Sequence, residues 1–342
     1  MLRAIELGKN ALGSAAPNPA VGCCIVNGDT IIGEGYTSAF GGFHAEVNAI
    51  QSVKDVTLLE NATLYVTLEP CSHYGKTPPC SDLIIRHKIK RVVIGVIDPH
   101  EKVAGKGIEK LKSAGIDVVT KVKEKECRLH HKRFLTFHEK KRPYIILKWA
   151  QSSDKFIAPI RTKRNEKAKP YWITNLYSRQ RVHQWRSEEQ AIMVGTQTVL
   201  DDNPKLDVRQ WKGNNPVRVV IDRTLKIPKN ANVLNGDLKT IVFSERHHPD
   251  YSSNVNLEIV PFDLNLPYTI CDVLRSYQIN SLFIEGGAKT LQSFIDAGLW
   301  DEARIFTGNT NLNSGVEAPK IHGTLMTKKH ILNDQLIFIS ND

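Results

Sequence analysis

Over its first 120 residues the chain alternates short apolar stretches of strand character with amphipathic stretches of helical period, and this alternation restricts the fold more than any other feature. Helical spacing is read at residues 2–12, from His44, after Cys80 and near residues 105–114. Strand patterns fall at Val21–Val26, Thr30–Gly35, Thr63–Leu68, Arg91–Val96 and Asp117–Val119. Elements of two kinds in turn bury their apolar sides by stacking helices on a sheet, so a layered α/β domain is expected. Lys123–Lys141 follows as a charged, helix-like stretch ending in EKKRP, and Pro143 stops a helix there. The first domain is assigned to residues 1–141 and the second to 142–342.

The second half reads differently. The apolar run YIILKWA (144–150) opens it, and candidate strands recur at Ala191–Val194, Val217–Asp222, Thr240–Phe243, Leu257–Val260, Ser281–Glu285, Arg304–Thr307 and Leu336–Ser340. Strands in that number with few intervening helices predict one large mixed sheet, and no internal repeat is evident. A length of 342 residues suits two domains of about 150 residues better than one core. Between the strands, Arg161–Lys169 (RTKRNEKAK) lacks apolar periodicity and reads as a solvated loop.

Composition excludes several classes. Hydrophobic residues at 41% and charged ones at 24% are the mix of a folded globular protein rather than a disordered one. No window approaches the roughly 18 apolar residues of a membrane span, and MLRAIELGKNALG reads as an amphipathic helix rather than a signal core, so a cytoplasmic protein is expected. Six cysteines (23, 24, 71, 80, 127 and 271) are too few for a disulfide framework, and Cys23 and Cys24 face opposite sides of a strand. A cysteine cluster here would serve a metal or catalysis. The net charge of +10 raises the question of nucleic acid. It is spread, however, with 21 basic and 15 acidic side chains in residues 1–142 and 25 and 21 in the rest, and no basic tail. A mildly positive surface suits small anionic substrates, and neither nucleic acid nor membrane is expected as a partner. A homo-oligomer is left open.

The segment GGFHAEVNAI places His44-Ala-Glu46 at a helix start, and LEPCSHYGKTPPC places Cys71 and Cys80 around a loop leading into another helix. One histidine and two thiolates give a zinc ion three protein ligands, leave its fourth position to water and lower that water's pKa toward neutrality. Glu46, two residues from His44, can face the same cleft without coordinating, take the water's proton and deliver it to a ring nitrogen and departing ammonia. This is the division of labour of zinc deaminases with an H-x-E…P-C-x-x-C signature. Here eight residues separate the cysteines instead of two, and Gly75, Pro78 and Pro79 suit the turn a longer loop needs. The competing readings are an ordinary buried pair of thiols and a closed zinc knuckle, which needs a fourth ligand such as His73 and leaves Glu46 without a role.

Other residues carry weaker signals. Asn18 lies between Pro17 and Pro19 in a stiff loop suited to reading a ring edge, or is a turn residue. Lys76 offers a charge to a phosphate, or is solvated. Lys148 interrupts an apolar strand; it snorkels at the strand end or, as favoured here, faces a cleft. Two strand-to-glycine junctions, MVG-TQT (193–198) and FIEGG-AKT (283–290), are either tight turns or cradles for a polyphosphate. Neither is G-x-G-x-x-G, so a Rossmann domain is not supported.

These segments resemble the bifunctional riboflavin-biosynthesis deaminase/reductase of bacteria, the RibD type. The resemblance runs through PNPAVG (17–22), GEGY (33–36), HAEV (44–47), YVTLEPCSHYGKTPPC (65–80), DPHEKVAGKG (98–107) and FLTFHEKKRPYIILKWA (134–150). It continues through WIT (172–174), VGTQTVLDDNPKLDVR (194–209), PVRVVID (216–222), FIEGGAKTL (283–291) and GLWDE (298–302), and the eight-residue cysteine loop is the family's own form. It implies a cytidine-deaminase-like α/β/α domain followed by a dihydrofolate-reductase-like mixed-sheet domain. It also implies zinc-dependent deamination of 2,5-diamino-6-(5-phosphoribosylamino)pyrimidin-4-one, then NADPH-dependent reduction of the ribosyl group to ribityl.

Carried over residue by residue, the resemblance puts Asn18, His73, Lys76 and Asp98 at the pyrimidine. Ala150, Trp172, Thr198, Asp202, Gly286, Gly287, Ala288, Lys289, Thr290 and Leu291 would face NADPH. Arg186 and Arg209 would lie on the substrate's phosphate side and Leu206 would contact the substrate, with Lys148, Asp202 and Glu285 bordering the ribose; Asp202 and Lys148 both remain candidates to move the proton. His100 stands where similar sequences carry Asn, Ser153-Asp154-Lys155 where they carry Leu-Asp-Gly, and Pro170 where they often carry Ser. Two other functions fit parts of the sequence: a deaminase with a non-catalytic second domain, and a nucleic-acid base deaminase.

Overall fold

The computed structural model describes residues 1–72, 74, 78–99, 104–160, 168–247 and 251–341. The chain divides into two compact units, Met1–Lys141 and Arg142–Asp342. Among the described residues no helix is long and apolar enough to cross a membrane, and all six cysteines are free.

The first unit runs α1 (Leu2–Lys9), β1 (Gly22–Asn27), β2 (Thr30–Tyr36), α2 (Ala45–Gln51), β3 (Thr63–Leu68), α3 (Cys80–Arg86), β4 (Arg91–Val96), α4 (Lys106–Ser113), β5 (Asp117–Val119), α5 (Glu124–His130) and α6 (Lys132–Glu139). Its five strands lie in the order β2-β1-β3-β4-β5, with β1 antiparallel to both neighbours and β3, β4 and β5 parallel. Alternation along β1 divides the two layers. Cys23 and Ile25 pack with Ala45, Ala49 and Ile50 of α2, while Cys24 packs with Ala4 and Leu7 of α1. The α2 helix sits directly on β2, since a Cβ on Gly35 would lie 2.5 Å from the Ala45 carbonyl oxygen; the GEGY run therefore fixes the helix that begins after His44. The stretch expected as one helix over Lys123–Lys141 is two, α5 and α6, meeting at His131. There the chain turns to bury an imidazole that bonds Thr67 Oγ1 at 2.9 Å, and the buried hydrogen bond overrides helical periodicity.

The second unit runs β6 (Tyr144–Gln151), β7 (Phe156–Pro159), α7 (Leu176–Glu188), β8 (Ala191–Gly195), α8 (Thr196–Asp202), β9 (Val217–Ile221), β10 (Thr240–Ser244), β11 (Val255–Ile259), α9 (Leu266–Ser276), β12 (Ser281–Ile284), α10 (Ala288–Asp296), β13 (Glu302–Thr307), β14 (Gly315–Glu317), β15 (Thr324–Ile331) and β16 (Asp334–Ser340). Nine strands form a mixed sheet in the order β11-β10-β9-β8-β12-β6-β13-β16-β15, with β7 and β14 paired separately. The large mixed sheet is as expected, but four helices accompany it where few were expected. On one face Ile145, Leu147 and Trp149 of β6 meet Ile270 and Leu274 of α9 and Leu291 and Phe294 of α10. On the other, Ile146, Val194, Val220 and Phe283 meet Val182 and Trp185 of α7. Trp185 stacks over the buried Arg304 guanidinium at 4.6 Å, and Arg304 is neutralised by Glu302 at 2.6 Å. That contact seats α7 and so places the residue that follows, Arg186.

Candidate active sites

In the first unit strand direction brings four loops to one edge. β1 runs against β2 and β3 while β4 runs with β3, so the segment entering β1 and those leaving β2, β3 and β4 emerge together. Asn18, His44, Cys71 and Asp98 stand on these four segments. His44 precedes α2 and turns its ring onto two thiols: Nδ1 lies 3.6 Å from Cys71 Sγ and 3.3 Å from Cys80 Sγ. Cys80 opens α3, and its N–H donates to Cys71 Sγ at 3.3 Å. The three donor atoms lie within 4.8 Å of one another, and among the described residues no other such group of His, Cys, Asp and Glu is gathered. One imidazole and two thiolates so placed fit a zinc ion with a position left for substrate or water.

Glu46 is buried in the first turn of α2. Burial pushes its carboxyl up to about 7, and the charge of Cys71 adds to the effect. A carboxyl so placed can both take and give a proton near neutrality. Hydrogen bonds from Cys80 and then His44 hold the Cys71 thiol below its ordinary range, and the bond to Cys71 raises His44 to about 9. Asn18 is half-buried, with its N–H donating to Ala15 O at 3.0 Å, and Asp98 is buried. His73, Lys76 and His100 lie outside the described residues, as does the basic stretch 161–167.

Sequence reading passed over Glu69. Its buried carboxylate accepts backbone N–H groups of Asp98 at 3.2 Å, Gly105 at 3.1 Å, Gly107 at 3.0 Å and Ile108 at 3.3 Å. The signal was present: a carboxylate ending an apolar strand needs partners to be buried.

In the second unit the chain leaves β8 toward β9 on one side and leaves β12 for β13 on the far side of β6. The connections diverge between β8 and β12, which is where open α/β sheets take ligands at their carboxyl ends. Both glycine junctions lie there. A Cβ on Gly286 would lie 2.9 Å from Thr198 Cγ2 and Oγ1, and one on Gly195 would lie 2.6 Å from Thr290 Oγ1. The starts of α8 and α10 are thus side by side, close enough that a Cβ on either glycine would press on the facing threonine side chain. Ala150 lies at the end of β6 and Lys289 in the first turn of α10, while the side chain of Leu291 belongs to the core. Trp172 is exposed, with the Arg179 guanidinium 4.4 Å above its ring.

Lys148, Arg186 and Glu285 are brought together. Arg186 binds Glu285 through Nε at 2.6 Å and Nη2 at 2.8 Å, and through Nη1 reaches the Asp207 carbonyl at 3.1 Å. Lys148 Nζ lies 3.7 Å from Glu285 Oε2. Burial pushes the Glu285 carboxyl up, but Arg186 and Lys148 outweigh it and hold it at about 2. Burial, with Arg186 alongside, lowers Lys148. Arg186, expected on the phosphate side, thus spends its fork on Glu285, whereas Arg209 pairs with Asp207 at 2.5 Å and is about half exposed at 45%. Leu206 has a positive φ of 54° and a core side chain, and Asp202 ends α8. His183, also passed over, lies one turn before Arg186; it is buried, with Nδ1 lacking a hydrogen-bond partner among the described residues. Burial, then Arg186 and Arg209, press it down to about 4, so it is neutral.

The RibD C-terminal domain family matches residues 143–313, and the cytidine and deoxycytidylate deaminase zinc-binding region matches residues 1–96. The riboflavin biosynthesis protein RibD of Aquifex aeolicus is 39% identical over 330 residues, covering 94% of this chain and 87% of the relative. The chain belongs to the RibD family. RibD of Actinobacillus pleuropneumoniae is 37% identical over 340 residues, covering 97% of this chain and 86% of that relative. A solved diaminohydroxyphosphoribosylaminopyrimidine deaminase/5-amino-6-(5-phosphoribosylamino)uracil reductase from Thermotoga maritima superposes with a TM-score of 0.90 at 36% identity, covering 99% of this chain and 97% of that one. As a RibD-family member the chain is a two-activity enzyme of riboflavin biosynthesis, a zinc-dependent deaminase and an NADPH-dependent reductase.

Proposed function

We propose that residues 1–141 remove ammonia from 2,5-diamino-6-(5-phosphoribosylamino)pyrimidin-4(3H)-one and that residues 142–342 then reduce the ribosyl group of the resulting 5-amino-6-(5-phosphoribosylamino)uracil to ribityl. The observation that carries the reading is the gathering of His44, Cys71 and Cys80 beside the buried Glu46, in a chain whose other half holds a separate glycine cradle. The free thiols support action in the cytoplasm.

In the first reaction His44 Nδ1 and the Cys71 and Cys80 thiolates would hold zinc, which supplies a Lewis acid that makes water nucleophilic at neutral pH. Glu46 takes a proton from the attacking water and returns it to the ring nitrogen and the leaving amine, so that oxygen replaces nitrogen and ammonia departs. Asn18 and Asp98 would border the ring.

In the second reaction Gly286, Gly287, Ala288, Lys289, Thr290 and Leu291, with Ala150, Trp172, Thr198 and Asp202, would hold NADPH, which supplies the hydride. Lys148 is favoured over Asp202 as the proton carrier, because burial makes its ammonium readier to give up a proton to the ring oxygen as the sugar opens. Arg186 keeps Glu285 charged and in place at the ribose, which leaves Arg209 as the cation for the phosphate. The test is sequential: ammonia appears without reductant, and NADPH is oxidised only once the deaminated compound is made or supplied. Folded protein that ignores NADPH with authentic deaminated substrate would reduce the second domain to a non-catalytic module.

A further inference from the structure

Glu69 follows β3, and its N–H pairs with the Val96 carbonyl at 2.9 Å across the β3–β4 ladder. Its side chain makes a second connection. Oε2 accepts from Asp98 at 3.2 Å and Gly105 at 3.1 Å, and so holds both ends of the segment between them. Oε1 accepts from Gly107 at 3.0 Å and Ile108 at 3.3 Å, in the first turn of α4. Among the described residues four backbone donors meet a carboxylate that is only 4% exposed, and a negative group at a helix start is favourable. The approach is close as well: a Cβ on Gly107 would fall on the carbonyl oxygen of Pro70, the residue before Cys71.

We propose that Glu69 is a positioning residue for deamination, fixing Asp98 against the loop that carries Cys71 so that ring recognition and metal ligation share one frame. The proposal rests on the deaminase reading of the first site. Among the described residues the side-chain hydrogen bonds of Glu69 run to backbone N–H groups and none runs to His44, Cys71 or Cys80; it acts through the backbone of Asp98.

The test uses the full-length zinc enzyme. In Glu69→Gln the amide keeps one acceptor oxygen and turns two N–H donors toward two backbone donors, so in either orientation one pair of bonds is lost. Glu69→Asp keeps both oxygens and the charge. Four quantities are read: zinc per chain, kcat and KM for ammonia release, and deuterium uptake of a peptide spanning residues 97–109. For Glu69→Gln we expect one zinc per chain, a rise in KM of about tenfold with kcat within about threefold, and faster exchange confined to that peptide. Glu69→Asp should recover most of each, and should show the same pattern in weaker form if Glu69→Gln does not fold. Faster exchange with unchanged KM would overturn the proposal, since the segment would then be held without serving the substrate. Loss of zinc and kcat at constant KM would also overturn it, by making Glu69 a support of the metal alone. Failure of the wild-type enzyme to release ammonia would instead refute the functional reading, and the exchange measurement keeps the two failures apart.

Discussion

Replacing Arg186 with leucine tests the electrostatic account of the reductase cleft. The substitution removes bonds of 2.6 and 2.8 Å to Glu285 and one of 3.1 Å to the Asp207 carbonyl, leaving a buried carboxylate whose remaining ion-pair partner among the described residues is Lys148, 3.7 Å away. Breaking one side of a buried ion pair costs about 3–5 kcal/mol. An independent route gives a similar size: a carboxyl held at about 2 instead of 4.5 contributes about 3 kcal/mol at neutral pH. Because the native carboxyl is depressed, that contribution is complete above 4.5 and is lost as pH falls toward 2. All five tryptophans (149, 172, 185, 211 and 300) lie in the second unit, so urea unfolding followed by tryptophan fluorescence reports on that unit alone. At pH 7 Arg186→Leu should lower its unfolding free energy by about 3–5 kcal/mol, and the deficit should shrink from about pH 5 downward as the wild type loses its own contribution. Adding Glu285→Gln should recover part of the loss, because no uncompensated carboxylate then remains. A deficit below about 1 kcal/mol at pH 7, the scale of a surface pair, or one that does not change with pH, would refute the reasoning.

Three further outcomes follow from the same geometry. Glu46→Gln should keep one zinc per chain and abolish ammonia release, whereas His44→Ala and Cys80→Ser should lose the metal; retained deamination in Glu46→Gln would remove Glu46 from the proton path. Gly286→Val should raise the KM for NADPH by at least about tenfold while leaving deamination untouched, because its side chain would occupy the space in which a Cβ already meets Thr198 at 2.9 Å. Chelation of zinc should stop ammonia release yet leave NADPH oxidation with the deaminated compound intact, and a parallel fall in both rates would contradict the assignment of metal and hydride chemistry to separate units.

Periodicity made most of the first unit legible, and Thr63–Leu68, Arg91–Val96 and Asp117–Val119 are strands at the residues where alternation placed them. The metal cluster was legible because its chemistry needs particular residue types, and the fold brings His44, Cys71 and Cys80 to one point. What sequence hid was polar. The α7 sequence LYSRQRVHQWRSE is polar on nearly every side, and it buries Val182 and Trp185 against the sheet while directing Arg186 at Glu285. β15 was missed because it lies at a sheet edge with most residues exposed, so no apolar alternation marks it. The pairings of Glu69 and Arg186 are invisible in one dimension, since their partners Ile108 and Glu285 are 39 and 99 residues away.

One chain thus performs two reactions in a fixed order, deamination before reduction. That order is tested most directly by following ammonia and NADPH together on a single zinc-loaded preparation given the diaminopyrimidine nucleotide. Ammonia should be released without reductant and, when NADPH is added, one NADPH should be oxidised per ammonia after a lag that vanishes if the deaminated compound is supplied. NADPH oxidation that precedes ammonia release, or ammonia release that is never followed by oxidation, would contradict that order.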